Sequence, residues 1–241
     1  ISPQHNPDFT MLEFYWAYAD YEKLMKFTED MIKETVPKIC GSLKIFYQDK
    51  KFDLNPPFKR VYFSDLVRKE LGVEIEALDR KLLLSLAKKH DIELENEGKN
   101  LSESKILDEI YKKTIRPKLK GPVFLLDYPK SLIPRAKTKD GDSAKIATFQ
   151  LIINGWEIIK AYNELNDPQE QRARFDEQEL ARKKGDSEAH SIDEDYLEAL
   201  SYGMPPTAGW GMGIDRFLVL LLDQKNVRDV ILFPLRKNKK E

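Results

Sequence analysis

The chain has 241 residues, 41% of them hydrophobic and 34% charged, which is enough apolar material for one large domain with a core. Its 40 basic and 41 acidic residues leave a formal net charge of −1, which excludes a polycation that binds nucleic acid over its whole surface. The single cysteine, Cys40, excludes a disulfide framework and a cysteine zinc site, and it is typical of the cytoplasm, where we expect the protein to work. No apolar run approaches the ~20 residues of a membrane span, so we expect no membrane partner.

The N-terminal region predicts a strand followed by a helix. Apolar residues alternate over residues 9–19, which predicts a β-strand buried on at least one face. The simplest interpretation of Phe9 and Tyr15 is core packing, whereas Glu13 needs a partner or a ligand, because it is a carboxylate within an apolar strand. A helix is predicted over residues 20–36, ending before a proline.

Residues 59–120 are rich in lysine and glutamate and are predicted to be mostly helical. One helix is expected over residues 75–90, and another after Ser102. His90 falls at a helix end, where a capping role is favoured over a metal ligand. We identify no chemistry here and predict a helical insertion on the surface of the domain.

A hairpin is the clearest feature of the second half of the chain. After a strand over residues 122–127 and a polar loop over residues 138–143, Asn154-Gly155 separates the strand-like runs TFQLII and WEIIKAYNEL. Asn-Gly favours a hairpin because both turn residues adopt positive φ.

The C-terminal region predicts helices around a glycine-rich strand. Gly209, Gly211 and Gly213 alternate at period two, as in a strand on which a flat ligand lies. A dinucleotide-binding loop is the alternative, but the preceding proline pair and the glycine spacing disfavour it. The other predicted elements are charged and capped helices over residues 169–185 and 193–202, an apolar helix that begins at Asp215, and a short buried strand over residues 230–233.

Three segments occur in order along the chain: HNPDFTMLEFYWAYADYEKLM, NGWEIIKAYNELNDPQEQRARF, and MPPTAGWGMGIDRFLVLLL with VRDVILFP. Together they resemble the catalytic domain of class II lysyl-tRNA synthetases, the first like the second half of motif 2 and the last like motif 3. The resemblance covers residues 1–236 and implies an α+β fold, with an antiparallel sheet flanked by helices, usually in a homodimer. It also implies ATP, L-lysine and lysine tRNA as substrates, joined through a lysyl-adenylate.

In that family an Arg-Asn-Glu-Gly stretch precedes the position of Ile1, and motif 1 and an anticodon-binding domain lie further upstream. The resemblance therefore predicts that residues 1–241 are the C-terminal part of a catalytic domain. We expect this polypeptide alone to activate lysine poorly or not at all. Two alternatives stay open: a stand-alone paralogue that lysylates a protein, and a non-catalytic synthetase-like binding module.

The resemblance also implies how ATP is bound. Phe9 would stack on one face of the adenine and Arg216 on the other, and a guanidinium can also reach phosphate oxygens, so Arg216 is the expected catalytic residue. The alternative is an ion pair between Arg216 and Asp215 or Glu198. The remaining residues implied at the ATP site are His5, near the outer phosphates, Asn6 and Gly211.

Lysine recognition requires a carboxylate for the ε-ammonium group in a partly desolvated pocket. By resemblance that carboxylate is Glu164, with the Tyr15 hydroxyl as a second acceptor. Glu13 would bind the α-amino group, and Tyr162 would pack on the aliphatic stem. Lys160 occupies a position where the family commonly has an asparagine that contacts the substrate carboxylate, and a lysine can do this as a cation.

Mg²⁺ bound with ATP is the expected cofactor. The resemblance implies Glu157 as one ligand, while Gln150 stands where the family commonly has a second glutamate and is a poorer ligand for a hard cation. Strict alternation places Glu157 on the opposite strand face from Lys160, Tyr162 and Glu164. A bulge between Glu157 and Lys160, or a site that wraps the strand edge, would bring them together.

Overall fold

The computed structural model describes residues 2–99, 101–183 and 191–235. The strands are β1 Met11–Ala17, β2 Lys44–Tyr47, β3 Lys50–Asp53, β4 Lys59–Tyr62, β5 Val123–Leu126, β6 Thr138–Lys139, β7 Asp142–Ile146, β8 Thr148–Ile153, β9 Trp156–Asn163 and β10 Thr207–Gly213. The helices are α1 Tyr21–Cys40, α2 Phe63–Leu71, α3 Arg80–Lys89, α4 Glu103–Ile110, α5 Pro168–Lys183, α6 Glu194–Ser201 and α7 Ile214–Leu221.

A six-stranded sheet in the order β1-β10-β9-β8-β5-β4 forms the centre of the fold. Its neighbours are antiparallel except β4 and β5, which run parallel. The predicted α+β fold with an antiparallel sheet and flanking helices is confirmed. The hairpin is also confirmed, since Asn154 and Gly155 have φ of 50° and 77° between β8 and β9.

The two faces of the sheet are packed differently. On one face, α1, α7 and the β2–β3 hairpin bury a large apolar core that includes Phe149 and Trp210. On the other face, residues 63–118, here called the helical segment, pack against β5 and β8 and bury a second core around Leu125 and Ile152. The helical segment does not cover β1, β10 and most of β9.

One row of residues paired across the six strands shows where the helical segment stops covering the sheet. Cα register pairs the following residues across all six strands of this face: Glu13, Gly211, Lys160, Gln150, Leu125 and Val61. The row begins exposed at Glu13 and becomes fully buried at Leu125. We call β1, β10 and β9 the open half of this face, and β8, β5 and β4 the covered half.

Helix ends confirm part of the sequence analysis. Ser102 caps α4, its hydroxyl accepting a hydrogen bond from the Lys105 backbone N–H at 3.2 Å, and His90 is the C-terminal cap of α3. The predicted helix over residues 75–90 is a 3-10 turn, Ile75–Ala77, followed by α3, whose N-cap is Asp79. Residues 184–190, and with them the predicted end of the charged helix, lie outside the described residues.

Two predictions about strands were wrong. Strand β1 is not buried, because it is the edge strand of the sheet and no helix covers its pocket side; Phe9 is 60% exposed and Tyr15 70%. Residues 230–233 form no strand, and Leu232 and Phe233 are about 90% exposed.

Three boundaries also differ from the prediction. Helix α1 continues through Pro37, whose missing N–H costs one bond within the last turn, and the Gly41 N–H closes that turn on the Pro37 carbonyl at 2.9 Å. The predicted polar loop over residues 138–143 contributes to the small β6–β7 hairpin. Strand β4 lies within the predicted insertion, because its partner β5 is distant in sequence and a four-residue strand has little periodicity.

None of the helices among the described residues is both long and apolar enough to cross a membrane.

Candidate active site

A cavity of about 410 Å³ lies on the open half of the sheet. Its floor is formed by β10 and β9, with β1 along one side and the start of α7 at one end. Arg216 and Phe9 line this end, and Glu164 and Tyr15 line the other. A cavity of this size is typical of small-molecule sites.

Two glycines of β10, Gly209 and Gly211, have no side chains to fill the cavity above the strand. A Cβ at Gly211 would lie 3.4 Å from Glu13 Oε1, and a Cβ at Gly209 would overlap Glu164 Oε1 and approach Tyr15 Cε1 to 3.1 Å. The alternation of glycines therefore leaves room for carboxylates from both neighbouring strands. Gly209 is a site residue that the sequence analysis did not assign; its only signal was the period-two spacing.

Glu164 is a buried carboxylate without a hydrogen-bonding partner for its side chain among the described residues. Its backbone N–H donates to the Thr207 carbonyl at 2.8 Å, which fixes the residue at the end of β9, and the residue is 6% exposed. Burial raises the pKa of Glu164 to about 8, although Arg135 opposes the shift. Within the described part of the chain no cation forms an ion pair with this carboxylate, which suits a site for an ammonium group.

Two tyrosines flank that carboxylate. Tyr15 and Tyr162 line the same end of the cavity, on opposite sides of Gly209 in the strand register. Burial, followed by the charge of Glu164, raises the pKa of both hydroxyls, so both are protonated hydrogen-bonding groups at neutral pH. The structure thus brings together the expected side-chain subsite.

Arg216 dominates the opposite end of the cavity. Its guanidinium donates to the Glu157 backbone carbonyl at 3.2 Å, and its side chain passes beside Gly213, where a Cβ would lie 3.6 Å from Arg216 Cδ. Among the described residues it forms no ion pair with Asp215 or Glu198; Asp215 instead accepts a hydrogen bond from the Thr10 N–H at 2.8 Å. The guanidinium is therefore available to a ligand.

The loop before β1 supplies the other residues of this end. His5 Nδ1 lies 2.8 Å from the Ser2 hydroxyl, and Asn6 donates to the Asp8 carbonyl at 2.7 Å. The Asn6 side-chain oxygen is buried without a partner among the described residues. With Phe9, whose ring is open to the cavity, both residues line the site as expected.

A β-bulge in β9 explains how Glu157 can lie on the same strand face as Lys160. Leu151 pairs with Ile159 but Ile152 pairs with Glu157, so Ile158 is an extra residue. Of the two alternatives, the structure has the bulge between Glu157 and Lys160, and both side chains line the cavity.

Gln150, the second expected metal ligand, does not line the cavity. Gln150 is buried, and its side-chain oxygen accepts a hydrogen bond from Tyr128, whose hydroxyl lies 3.0 Å from that of Tyr111. Tyr111 belongs to the helical segment and Tyr128 follows β5, and both are part of the second core, so Gln150 lies at the edge of the covered half. Its role as a metal ligand stays a prediction, and Glu157 is the member of the predicted pair that lines the cavity.

Glu157 alone still fits magnesium carried by a nucleotide. The described residues contain no cluster of three or more histidine, cysteine or acidic side chains that could hold a metal without help. Mg²⁺ is commonly held by one or two carboxylates, with phosphate oxygens and water completing its shell. The Glu157 carboxylate at the Arg216 end of the cavity fits that arrangement, and its role as ligand stays a prediction.

Comparison with known proteins finds one family along the whole chain. The family model described as tRNA synthetases class II (D, K and N) matches residues 1–237. Three relatives carry the name lysine–tRNA ligase: those of Thermotoga maritima (43% identical over 240 residues), Aquifex aeolicus (44% over 243) and Staphylococcus epidermidis (41% over 240). The matches cover 99–100% of this chain but 47%, 40% and 48% of those proteins, so the chain spans about half their length or less.

Proposed function

The chain belongs to the class II tRNA synthetases of the D, K and N type, and we propose that the protein it comes from is a lysine–tRNA ligase. Such an enzyme joins L-lysine to ATP as lysyl-adenylate and then transfers the lysyl group to lysine tRNA. The names of the three relatives support this proposal and favour a tRNA acceptor over a protein acceptor.

The observation that carries the proposal is the environment of Glu164. A buried carboxylate without a hydrogen-bonding partner, between two tyrosines, is unfavourable until a cation reaches it. A lysine side chain supplies an ammonium group for Glu164 and an aliphatic stem for the ring of Tyr162. Asparagine would leave the carboxylate without a counter-ion, and aspartate would bring a second negative charge, so we propose lysine among the amino acids that this family joins.

The first chemical step is attack of a lysine carboxylate oxygen on the α-phosphorus of ATP. A new P–O bond forms, the bond to the bridging oxygen breaks, and pyrophosphate leaves with the electron pair. In our proposal Glu13 binds the α-amino group and Lys160 the carboxylate, which holds the nucleophile over the floor at Gly211.

The nucleotide end orients the phosphate that is attacked. Phe9 and Arg216 would enclose the adenine, and the Arg216 guanidinium would stabilise the negative charge that develops at the α-phosphate. His5 and Asn6 would border the phosphates from the loop before β1. Magnesium bound between Glu157 and the phosphates would supply charge neutralisation.

Amino-acid-dependent ATP–pyrophosphate exchange by the full-length protein tests the proposal. Lysine, aspartate and asparagine are each supplied at equal concentration, with arginine as a second cationic side chain. We expect exchange with lysine well above that with the other three. Exchange that prefers aspartate or asparagine would refute the assignment of Glu164, and exchange with none would favour a binding module.

The acceptor is tested separately by charging of lysine tRNA, which a protein-lysylating paralogue would not carry out. The homodimer, the cytoplasmic location, and the helical segment as a surface insertion of the catalytic domain remain parts of the proposal.

A further inference from the structure

The end of the helical segment is fixed against the turn of the β8–β9 hairpin. The Gly155 N–H donates to the Leu119 carbonyl at 2.7 Å, and a Cβ at Gly155 would lie 3.2 Å from the Arg116 carbonyl oxygen and 3.1 Å from Pro117 Cα. A side chain at this position, where φ is 77°, would crowd the backbone of Arg116 and Pro117. The backbone of Arg116 is therefore held beside the start of β9, where Glu157 enters the cavity.

The charge of Arg116 is not matched within the described part of the chain. Its half-buried side chain forms no ion pair there, and its Nε is buried without a hydrogen-bonding partner. Two neighbouring lysines, unlike Arg116, each form an ion pair. Lys112 pairs with Asp108 at 2.5 Å, and Lys118 pairs with Glu70 at 2.6 Å. A buried Nε–H without an acceptor is costly, unless an anion binds to it.

The field of Arg116 reaches the nucleotide end of the cavity. Burial lowers the pKa of His5, and the charges of Arg216 and Arg116 lower it further. Arg216 and Arg116 therefore both bring positive charge to the region around His5.

We propose that Arg116 binds the outer phosphates of ATP, and the pyrophosphate that leaves, together with Arg216. The inference rests on the proposed function, because it assigns a residue of the helical segment to the same site. A polyphosphate supplies the acceptor oxygens that the Arg116 donors lack, and it has the charge to match two guanidinium groups. The extra cation also offsets the phosphate charge at a site where Gln150 provides no second carboxylate for a metal.

Direct binding of ATP, inorganic pyrophosphate and adenosine to the full-length protein, measured by calorimetry, tests this inference. In Arg116→Gln the dissociation constants of ATP and pyrophosphate should rise about tenfold or more, since one charge-assisted hydrogen bond is lost. Binding of adenosine should not change, because it lacks phosphates. Arg116→Lys should recover part of the affinity, and Lys118→Gln, which removes a charge from the same turn, should bind all three as the wild type does.

Unchanged binding of ATP and pyrophosphate in Arg116→Gln would overturn the inference. An equal loss for adenosine would also overturn it, because the residue would then support the pocket and not the phosphates. If the wild type does not bind ATP, the proposed function fails, while pyrophosphate alone still decides the role of Arg116.

Discussion

The open and covered halves of one sheet face share a backbone but have opposite roles. From Glu13 to Val61 a single row crosses six paired strands, and the polarity of its side chains changes at Gln150. Towards β1 the residues of the row are charged or are glycine, and they line a cavity. Towards β4 they are apolar and pack under helices. The helical segment, by covering three strands and not six, determines which half is core and which is site.

The comparison explains why strands that pair side by side have such different residues. In the covered half, apolar side chains such as Leu125 contribute burial, and in the open half Gly209 and Gly211 leave volume for carboxylates. Gln150 lies at the border, where a polar group is buried but hydrogen-bonded. A change of one residue should therefore affect ligand binding on one side of the border and stability on the other.

The largest effect is expected at the end of the open half. Glu164→Gln should weaken lysine binding by about 3–5 kcal/mol at pH 8, because a buried ion pair loses one partner. Binding of ATP should be nearly unchanged, since Arg216 and Phe9 line the other end. Calorimetry with each ligand measures both, with Glu198→Gln, an exposed change on α6, as the control. Wild-type lysine affinity in Glu164→Gln would place the side-chain subsite elsewhere.

A pair of alanine substitutions in the same row tests the border itself. Leu125→Ala should lower the free energy of unfolding by about 2–5 kcal/mol, because it leaves a cavity in the second core. Glu13→Ala, in the exposed part of the row, should change it by less than about 0.5 kcal/mol. Urea unfolding followed by circular dichroism gives both values. Equal losses would mean that the open half is as much a core as the covered half.

Substitutions at the border give a smaller effect. Gln150→Glu should destabilise the protein by about 1–3 kcal/mol at pH 8, because burial disfavours the introduced charge. The loss should shrink as the pH falls and the carboxyl becomes protonated. Thermal unfolding at pH 5 and pH 8 measures the difference, and a loss that does not depend on pH would contradict a buried charge.

Glu157→Gln, on the cavity side of the border, is the counterpart of Gln150→Glu. It should leave stability nearly unchanged but raise the magnesium concentration needed for half-maximal lysine activation, because the carboxylate assigned to the ion is lost. A magnesium titration of ATP–pyrophosphate exchange measures it. A titration curve identical to that of the wild type would remove Glu157 from the metal site.

The sequence predicted what depends on local chemistry. Asn154-Gly155 specified its turn, Ser102 its cap, and the need to bring Glu157 beside Lys160 indicated the bulge. The family resemblance supplied the remaining residues of the cavity. The burial of Gln150 beneath Tyr128 was not predictable, because which strands a distant helical segment covers is a tertiary property.

The same limit explains the other misses. The exposure of β1 follows from its place at the sheet edge, which strand periodicity does not reveal. Arg116 was missed because its significance depends on the approach of Gly155, a residue 39 positions away that no local pattern links to it. Long-range packing therefore limited both the fold and the site predictions.

The central claim is that Glu164, buried on the open half, recognises a cation, and the pH dependence of lysine affinity tests it most directly. The pKa of Glu164 in the free protein is raised to about 8, so below that pH the carboxyl is mostly protonated and must lose its proton to pair with an ammonium group. Lysine binding should therefore tighten as pH rises from 6 to 8, by up to about tenfold per unit, and then level off. In Glu164→Gln the affinity should be weak and independent of pH over this range. A pH-independent affinity in the wild type, or the same slope in both proteins, would contradict the account.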